Sequence, residues 1–405
     1  MLILHTSDWH FGRTLHGADL GDSVDAFIDW LADLVVDRGV DAVFISGDVF
    51  DRSVPPLNAI TRLTGAVSRL CPEASVVMTS GNHDGPVRLG MMSGMLRDEL
   101  RVVTDPLSVG TAVEVGGDHG VLVYPVPYLE PDLVRHVLSD SPASDGSEEP
   151  EPLERSHQAV IEAACRRIRA DLSRRRDAGD GRAAIAMVHA FITGAHPSDS
   201  ERDIQVGGVP SVSADVFDSL GSSDAPLAHG LDYVAAGHLH RPQNVAGASV
   251  PIRYAGSPIA YSFSEAGAEK SVTLLEFDET SLVSVQTIPI PALHPVIVLE
   301  GPLDELLAGA DVQPANAYCS VTVTDDARPE RMSARVREAF PGALVIAHRS
   351  PVAPSYEAVR ASGARRDSRA VSLDFFESAG GRPLDEEETM IVSDTWTALR
   401  TEARA

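Results

Sequence analysis

Short apolar runs near the start of the chain each stop at an Asp, Asn or His, and amphipathic stretches separate them. Residues 2–5 lead into Asp8-Trp9-His10. Ala42–Ser46 leads into Gly47-Asp48, and Ser75–Thr79 into Gly81-Asn82-His83-Asp84. Between them, residues 25–36 place Phe27, Trp30, Leu31, Leu34 and Val35 at helical spacing, and Leu57–Leu70 reads as a helix after Pro55-Pro56. Strands alternating with helices imply βαβ units and a partly parallel sheet. Further strands are expected at 121–124, 184–188, 233–236, 252–254, 272–277 and 283–288. Many are apolar on both faces, as in strands covered on both sides. Two packed sheets flanked by helices satisfy this pattern.

The residues just past the strands carry the chemistry. Asp8 and His10 follow the first strand, Asp48 the second, Asn82 and His83 the third. His189 follows the strand at 184, and His238 and His240 the strand at 233. The carboxyl ends of strands in an α/β sheet converge on one edge, where ligands bind. A set of imidazoles, carboxylates and one amide, without thiolate, suits manganese, iron or zinc in an open catalytic site rather than a Cys-rich structural zinc. Seven such residues suffice for two ions if one carboxylate bridges them. Two ions ~3.5–4 Å apart can clamp the nucleophile and phosphate oxygens of an in-line displacement. His83 is then left over, suited to touch the phosphate and assist the leaving oxygen. Asp84 is read as closing the turn. Gly47, Gly81 and Gly237 each precede a candidate ligand and let the backbone turn tightly there.

Charge narrows the partners. Among 405 residues, 59 Asp and Glu against 33 Lys and Arg give a net charge of -26. Such a chain repels DNA phosphates at long range unless a metal or a partner supplies the positive field. Arg166, Arg167, Arg169, Arg174, Arg175 and Arg176 crowd one expected helix, as a solvated face or a phosphate-contacting patch. Cys71, Cys165 and Cys319 are far apart and fit neither a disulfide framework nor a zinc knuckle. There is no leader-like N-terminus and no membrane-spanning run, so a cytoplasmic protein is expected.

Ile288-Pro289-Ile290-Pro291 marks a boundary. Beyond it, strands at 295–300, 318–324 and 344–348 and a helix at 330–339 form a small α+β module. A linker at 350–354 leads to a tail with Arg360, Arg365, Arg366 and Arg369 and two amphipathic segments, 373–378 and 386–399. A helical pair that short cannot bury its own apolar face, so it must dock on its own chain or on a partner. Residues 139–154, acidic and proline-rich, and 221–230 read as surface loops.

The motifs Asp8-x-His10, Gly47-Asp48, Gly81-Asn82-His83-Asp84, His189 and Gly237-His238-x-His240 resemble the calcineurin-like metallophosphoesterase pattern in order and spacing. HTSDWHFGRTLHG at the start, SGDVFDR at 46–52, SDSERDIQVGG at 198–208, GHLHRPQ at 237–243 and GSPIAYSFSE at 256–265 look more narrowly like the SbcD family, the nuclease subunits of bacterial SbcCD complexes. The resemblance implies a four-layer α/β/β/α sandwich over 1–290, a small α+β capping domain at 292–349 and a helical tail at 355–405 that docks the SbcC ATPase. It implies two divalent ions, most readily Mn2+. Asp8, His10, Asp48 and His240 would hold one; Asp48, Asn82, His189 and His238 would hold the other; His83 would be the catalytic histidine. It further implies a dimer of nuclease subunits with no membrane attachment, acting on DNA in repair, replication and recombination. The expected activities are a 3′-to-5′ exonuclease on duplex ends and an endonuclease on single strands and hairpins. Arg13, His16 and Arg52 lie near the ligands in sequence and are either phosphate contacts or loop residues. A phosphoesterase of small substrates and a scaffold without catalysis are the competing readings.

Overall fold

The structure, a computed structural model, describes residues 1–96, 98–140, 150–201, 211–220, 230–351, 368–380 and 382–402. Most of the acidic 139–154 insertion, the 221–230 loop, the latter part of the 198–208 motif, and Arg360, Arg365 and Arg366 lie outside the described residues. The chain divides into two compact units, Met1–Val296 and Ile297–Ala405.

In the first unit, β1 (Leu2–Thr6), β2 (Ala42–Ser46), β3 (Ser75–Thr79) and β4 (Leu100–Val103) run parallel in that order. The next six strands build a second sheet: β5 (Val113–Val115), β6 (Val121–Val126), β7 (Ala184–His189), β8 (Tyr233–Gly237), β9 (Gln243–Val245) and β10 (Ile252–Tyr254). There β6, β7, β8 and β10 are parallel, with β5 and β9 added antiparallel at the edges. The chain then returns to the first sheet as β11 (Ser271–Phe277), antiparallel to β1, and β12 (Leu282–Pro289), antiparallel to β11.

Strand alternation divides the apolar residues into three layers. Ile3, Phe44 and Val77 of the first sheet meet Val123, Ile185, Met187 and Tyr233 of the second. The opposite face of the first sheet, with Leu4, Val43, Ile45 and Val76, packs on the helices Gly21–Arg38 and Leu57–Leu70. The opposite face of the second, with Leu122, Tyr124, Ala186 and Val234, packs on the helix His157–Asp177 and the 3-10 turn Ala214–Leu220. This is the four-layer α/β/β/α sandwich that the family resemblance implies, and it satisfies the residue pattern of two packed sheets flanked by helices. Helix Gly21–Arg38 buries Phe27, Ile28, Leu31 and Val35 and stops at Gly39, whose left-handed φ of 61° lets its N–H reach Val35 O and Val36 O. Helix His157–Asp177 starts where the Ser156 hydroxyl accepts from Ala159 N at 3.2 Å.

The second unit opens with β13 (Val296–Gly301), β14 (Tyr318–Val323) and β15 (Ala343–His348), in that order across one sheet. Leu303, Val321, Val323, Met332, Val336 and Phe340 form its core, drawn from the sheet and the helices Leu303–Ala308 and Met332–Ala339. Two further helices follow, Ser368–Gly380 and Glu386–Glu402, in contact with each other. The second begins with a reciprocal cap. Glu388 N donates to Asp385 Oδ1 at 2.8 Å and Asp385 N to Glu388 Oε2 at 3.0 Å. Trp396 Nε1 donates to Ser372 Oγ at 2.9 Å between the two helices. Val371, Phe375, Phe376, Met390 and Ile391 stay exposed. Among the described residues, no helix is long and apolar enough to cross a membrane.

Candidate metal centre

The loops after β1 and β2 are tied together by backbone bonds. Asp8 N donates to Gly47 O at 3.1 Å and His10 N to Asp48 O at 2.9 Å. Asp8, His10, Asp48 and His238 hold positive φ values of 54°, 43°, 49° and 107°, which L-residues rarely adopt. Such strain clusters where the fold aims side chains at a site. Two glycines make the closeness possible. A Cβ on Gly81 would lie 2.2 Å from Asp48 Oδ1, and one on Gly237 would lie 1.9 Å from Ser46 O. Asp84 then fastens the loop after β3 to the loop after β2. Its carboxylate accepts from Gly81 N, Val49 N and Phe50 N at 2.9–3.0 Å, consistent with a structural role.

All eight candidate residues come together. Asp8, His10 and His240 form one compact group; His10, Asp48 and His83 a second; Asp48, His189 and His238 a third. Asn82 joins the last, its Oδ1 2.9 Å from His189 Nε2 and 3.1 Å from His238 Nδ1. Asp48 sits in the middle, with Oδ2 3.3 Å from His189 Nε2 and 3.5 Å from His10 Nε2. Asp8, His10, Asp48, His189, His238 and His240 are buried, whereas Asn82 and His83 are partly exposed at the rim.

The donor set fits divalent cations. His189 Nδ1–H donates to Ser46 O at 3.0 Å, which turns the Nε2 lone pair toward Asn82 Oδ1 and Asp48 Oδ2. His240 Nδ1–H donates to Ser200 Oγ at 2.6 Å, because that hydroxyl gives its own proton to Glu265 Oε1 at 2.6 Å. The Nε2 atoms of His10 and His240 therefore meet at 3.0 Å. Acceptors converge on one small buried space, and a cation among them resolves their repulsion. The charges agree. Burial pushes the Asp8 carboxyl up to about 8, with Asp48 adding to the rise. Burial opposes ionising Asp48 as well, but His189, then His10 and His83, outweigh it and hold that carboxyl well below the usual range. Burial disfavours charge on His189, yet Asp48 holds it up at about 9.

A profile of calcineurin-like phosphoesterases matches residues 1–242, and one described as the type 5 capsule protein repressor C-terminal domain, SbcD_C, matches 292–377. The chain belongs to the SbcD family of calcineurin-like phosphoesterases. The SbcD chain of the nuclease SbcCD from Bacillus subtilis (strain 168) is 31% identical over 96% of this chain and 95% of its own length. Its counterpart from Escherichia coli (strain K12) is 33% identical over 76% of this chain and 73% of its own. As a member of this family the protein is a metal-dependent phosphodiester hydrolase, and its His/Asp clusters fit a dinuclear divalent site.

Ligand spacing in the sequence does not reveal the groups behind His240. Besides Ser200, Glu201 Oε1 accepts from His240 N at 2.7 Å. Lys270 Nζ donates to His240 O at 2.8 Å and pairs with Glu265. The signal for Ser200, Glu201 and Glu265 lay in the strings at 198–208 and 256–265, which look like the family but carry no candidate ligand of their own. The flanking cations divide. Arg13 is mostly buried, donating to Ser200 O at 2.6 Å and lying 5.1 Å over the Tyr261 ring, so it braces the site. His16 stacks on Phe263 at 5.2 Å. Arg52 is 62% exposed and lies 3.6 Å from Asp51 Oδ2. In helix His157–Asp177, Arg174 and Arg175 pair with Asp171 and Arg167 with Asp140, as on a solvated face. Phe11 and Leu15 are buried in the core.

Proposed function

We propose that this chain is the nuclease subunit of an SbcCD-type complex, hydrolysing DNA phosphodiester bonds with two Mn2+ ions. One observation carries the reading: seven ligand-competent side chains turn their acceptor atoms onto one buried space, with a single histidine left at its rim. Asp8, His10, Asp48 and His240 would hold one ion, and Asp48, Asn82, His189 and His238 the other. Bound there, the ions supply the activated water and neutralise charge on the phosphate. The chain's own part is positioning and proton transfer. Asp48 accepts the His83 backbone N–H at 2.8 Å, which fixes His83 beside the cluster. His83 Nδ1–H donates to Asp51 O at 2.7 Å, so that in the doubly protonated ring Nε2–H is the proton free to pass to the leaving oxygen. Arg52 meets the next phosphate.

On this reading, residues 1–290 are the nuclease domain and 292–349 a capping domain. The tail at 355–405 docks the SbcC ATPase through the apolar residues it exposes. The 3′-to-5′ exonuclease and the single-strand and hairpin endonuclease follow from the family, as do a dimer of nuclease subunits and roles in cytoplasmic DNA repair, replication and recombination. In the helix Leu57–Leu70, Leu57 is 78% and Ile60 40% exposed, which supplies an apolar face for a second copy. The test is cleavage of circular single-stranded and linear duplex DNA in Mn2+, in chelator, and by His83→Ala, each with and without SbcC and ATP. Mn2+-dependent cutting lost in His83→Ala is expected. No cutting under any of these conditions would overturn the reading.

A further inference from the structure

A groove of about 620 Å³ opens beside the metal cluster, within the usual range for a small-molecule site. Gly81 and Asn82 form its inner end, and the same Asn82 turns its Oδ1 to His189 and His238. Its walls come from two other segments, Thr104–Leu107 and Tyr128–Val137, and from Pro86 and Val87. The lining is mainly apolar and open to solvent: Val87 is 89%, Leu133 75% and Leu107 60% exposed. Tyr128 lines the groove, and its ring lies 6.3 Å from the His189 ring. Tyr128 N also donates to Ser80 O at 2.8 Å, which fixes this wall to the loop that carries Asn82.

We propose that this groove takes the nucleobase of the nucleotide whose phosphate is held at the cluster. The inference rests on the phosphodiester reading above and adds a base subsite to it. A phosphodiester bound at Asn82 must send one substituent along the wall that Asn82 begins, and this is the apolar recess there. The charges select which part of a nucleotide enters. Asp105 and Glu130 line the groove, so a second phosphate is repelled from it. Both carboxylates have fixed positions: Asp105 Oδ1 accepts from Leu107 N at 2.9 Å and Glu130 Oε2 from the Tyr128 hydroxyl at 3.0 Å. A carboxylate accepts from the exocyclic amine of cytosine, and flat bases pack on aromatic and apolar side chains. An unpaired base reaches such a recess where a stacked one does not.

The experiment compares two small ligands that differ only in the base, dCMP and 2-deoxyribose 5-phosphate. Their binding to the full-length, manganese-loaded chain is read by calorimetry. The expected result is dCMP tighter by about tenfold or more, a stacking-sized gain. In Leu133→Asp and Leu107→Asp the two ligands should bind alike, with deoxyribose phosphate reporting the phosphate site alone. Both side chains are exposed, so the substitutions leave the core intact. Equal affinities in the unsubstituted chain, or a preference for dCMP that survives both substitutions, would overturn the base subsite. A chain that binds neither phosphate in Mn2+ overturns the phosphodiester reading and the subsite with it.

Discussion

His240 shows how far the candidate site depends on groups that would touch no ion themselves. Its Nε2 faces the cluster only because Ser200 takes the proton on Nδ1, and Ser200 can do so because Glu265 accepts from it. Ser200→Ala and Glu265→Gln should each weaken Mn2+ binding by about 10- to 100-fold. The loss should fall on one ion of the two, since His189 is oriented by the Ser46 carbonyl instead. Ser200→Thr keeps the hydroxyl and should restore affinity. Equal loss of both ions in calorimetry would count against the relay. Without metal, His189 titrates near 9 and Asp8 near 8, so both carry protons at neutral pH. Ions must displace those protons, and Mn2+ affinity should rise as pH climbs from about 6 to 8. Calorimetry in buffers of different ionisation enthalpy would show proton release; a pH-independent affinity would contradict it. The candidate ligands were legible in the sequence because each ends a strand or follows closely after one. Ser200 and Glu265 were not, because they reach His240 from loops 40 and 25 residues away and have no spacing of their own.

At the scale of elements, the legible parts are those buried on both faces. β1, β2, β3, β7 and β8 read as continuous apolar runs, since helices cover one side and the other sheet covers the opposite one. β4, β5 and β9 were missed. They are short edge strands, partly exposed, whose register is set by a neighbour rather than by their own pattern. The helix Leu303–Ala308 was missed too, with just Leu303 fully buried. The same contrast ranks substitutions. Phe44 lies between the sheets, and Phe44→Ala should cost about 3–5 kcal/mol in denaturant unfolding. Phe376 is 48% exposed, and Phe376→Ala should leave stability within about 0.5 kcal/mol while weakening SbcC binding. Unimpaired SbcC binding by Phe376→Ala together with Ile391→Ala would remove the docking role from this pair of helices. The Cys165 thiol lies against the second sheet, where burial pushes it up to about 12.

For the whole molecule, the dominant quantity is a net charge of -26. The arginines of helix His157–Asp177 do not offset it, because several are paired with carboxylates. Encounter with DNA is therefore opposed at long range unless bound ions or a partner supply the positive field. Cutting by the isolated chain should rise as salt is raised from about 20 to 150 mM and repulsion is screened, the reverse of a basic DNA binder. A rate that falls steeply over that range would place an unrecognised basic surface on the chain itself.

If one bridging carboxylate, Asp48, joins two ions in a single site, equilibrium dialysis against Mn2+ should find two ions per chain in the unsubstituted protein, and Asp48→Asn should weaken both together. One ion per chain, or a substituted chain that still holds two at unchanged affinity, would contradict the bridge.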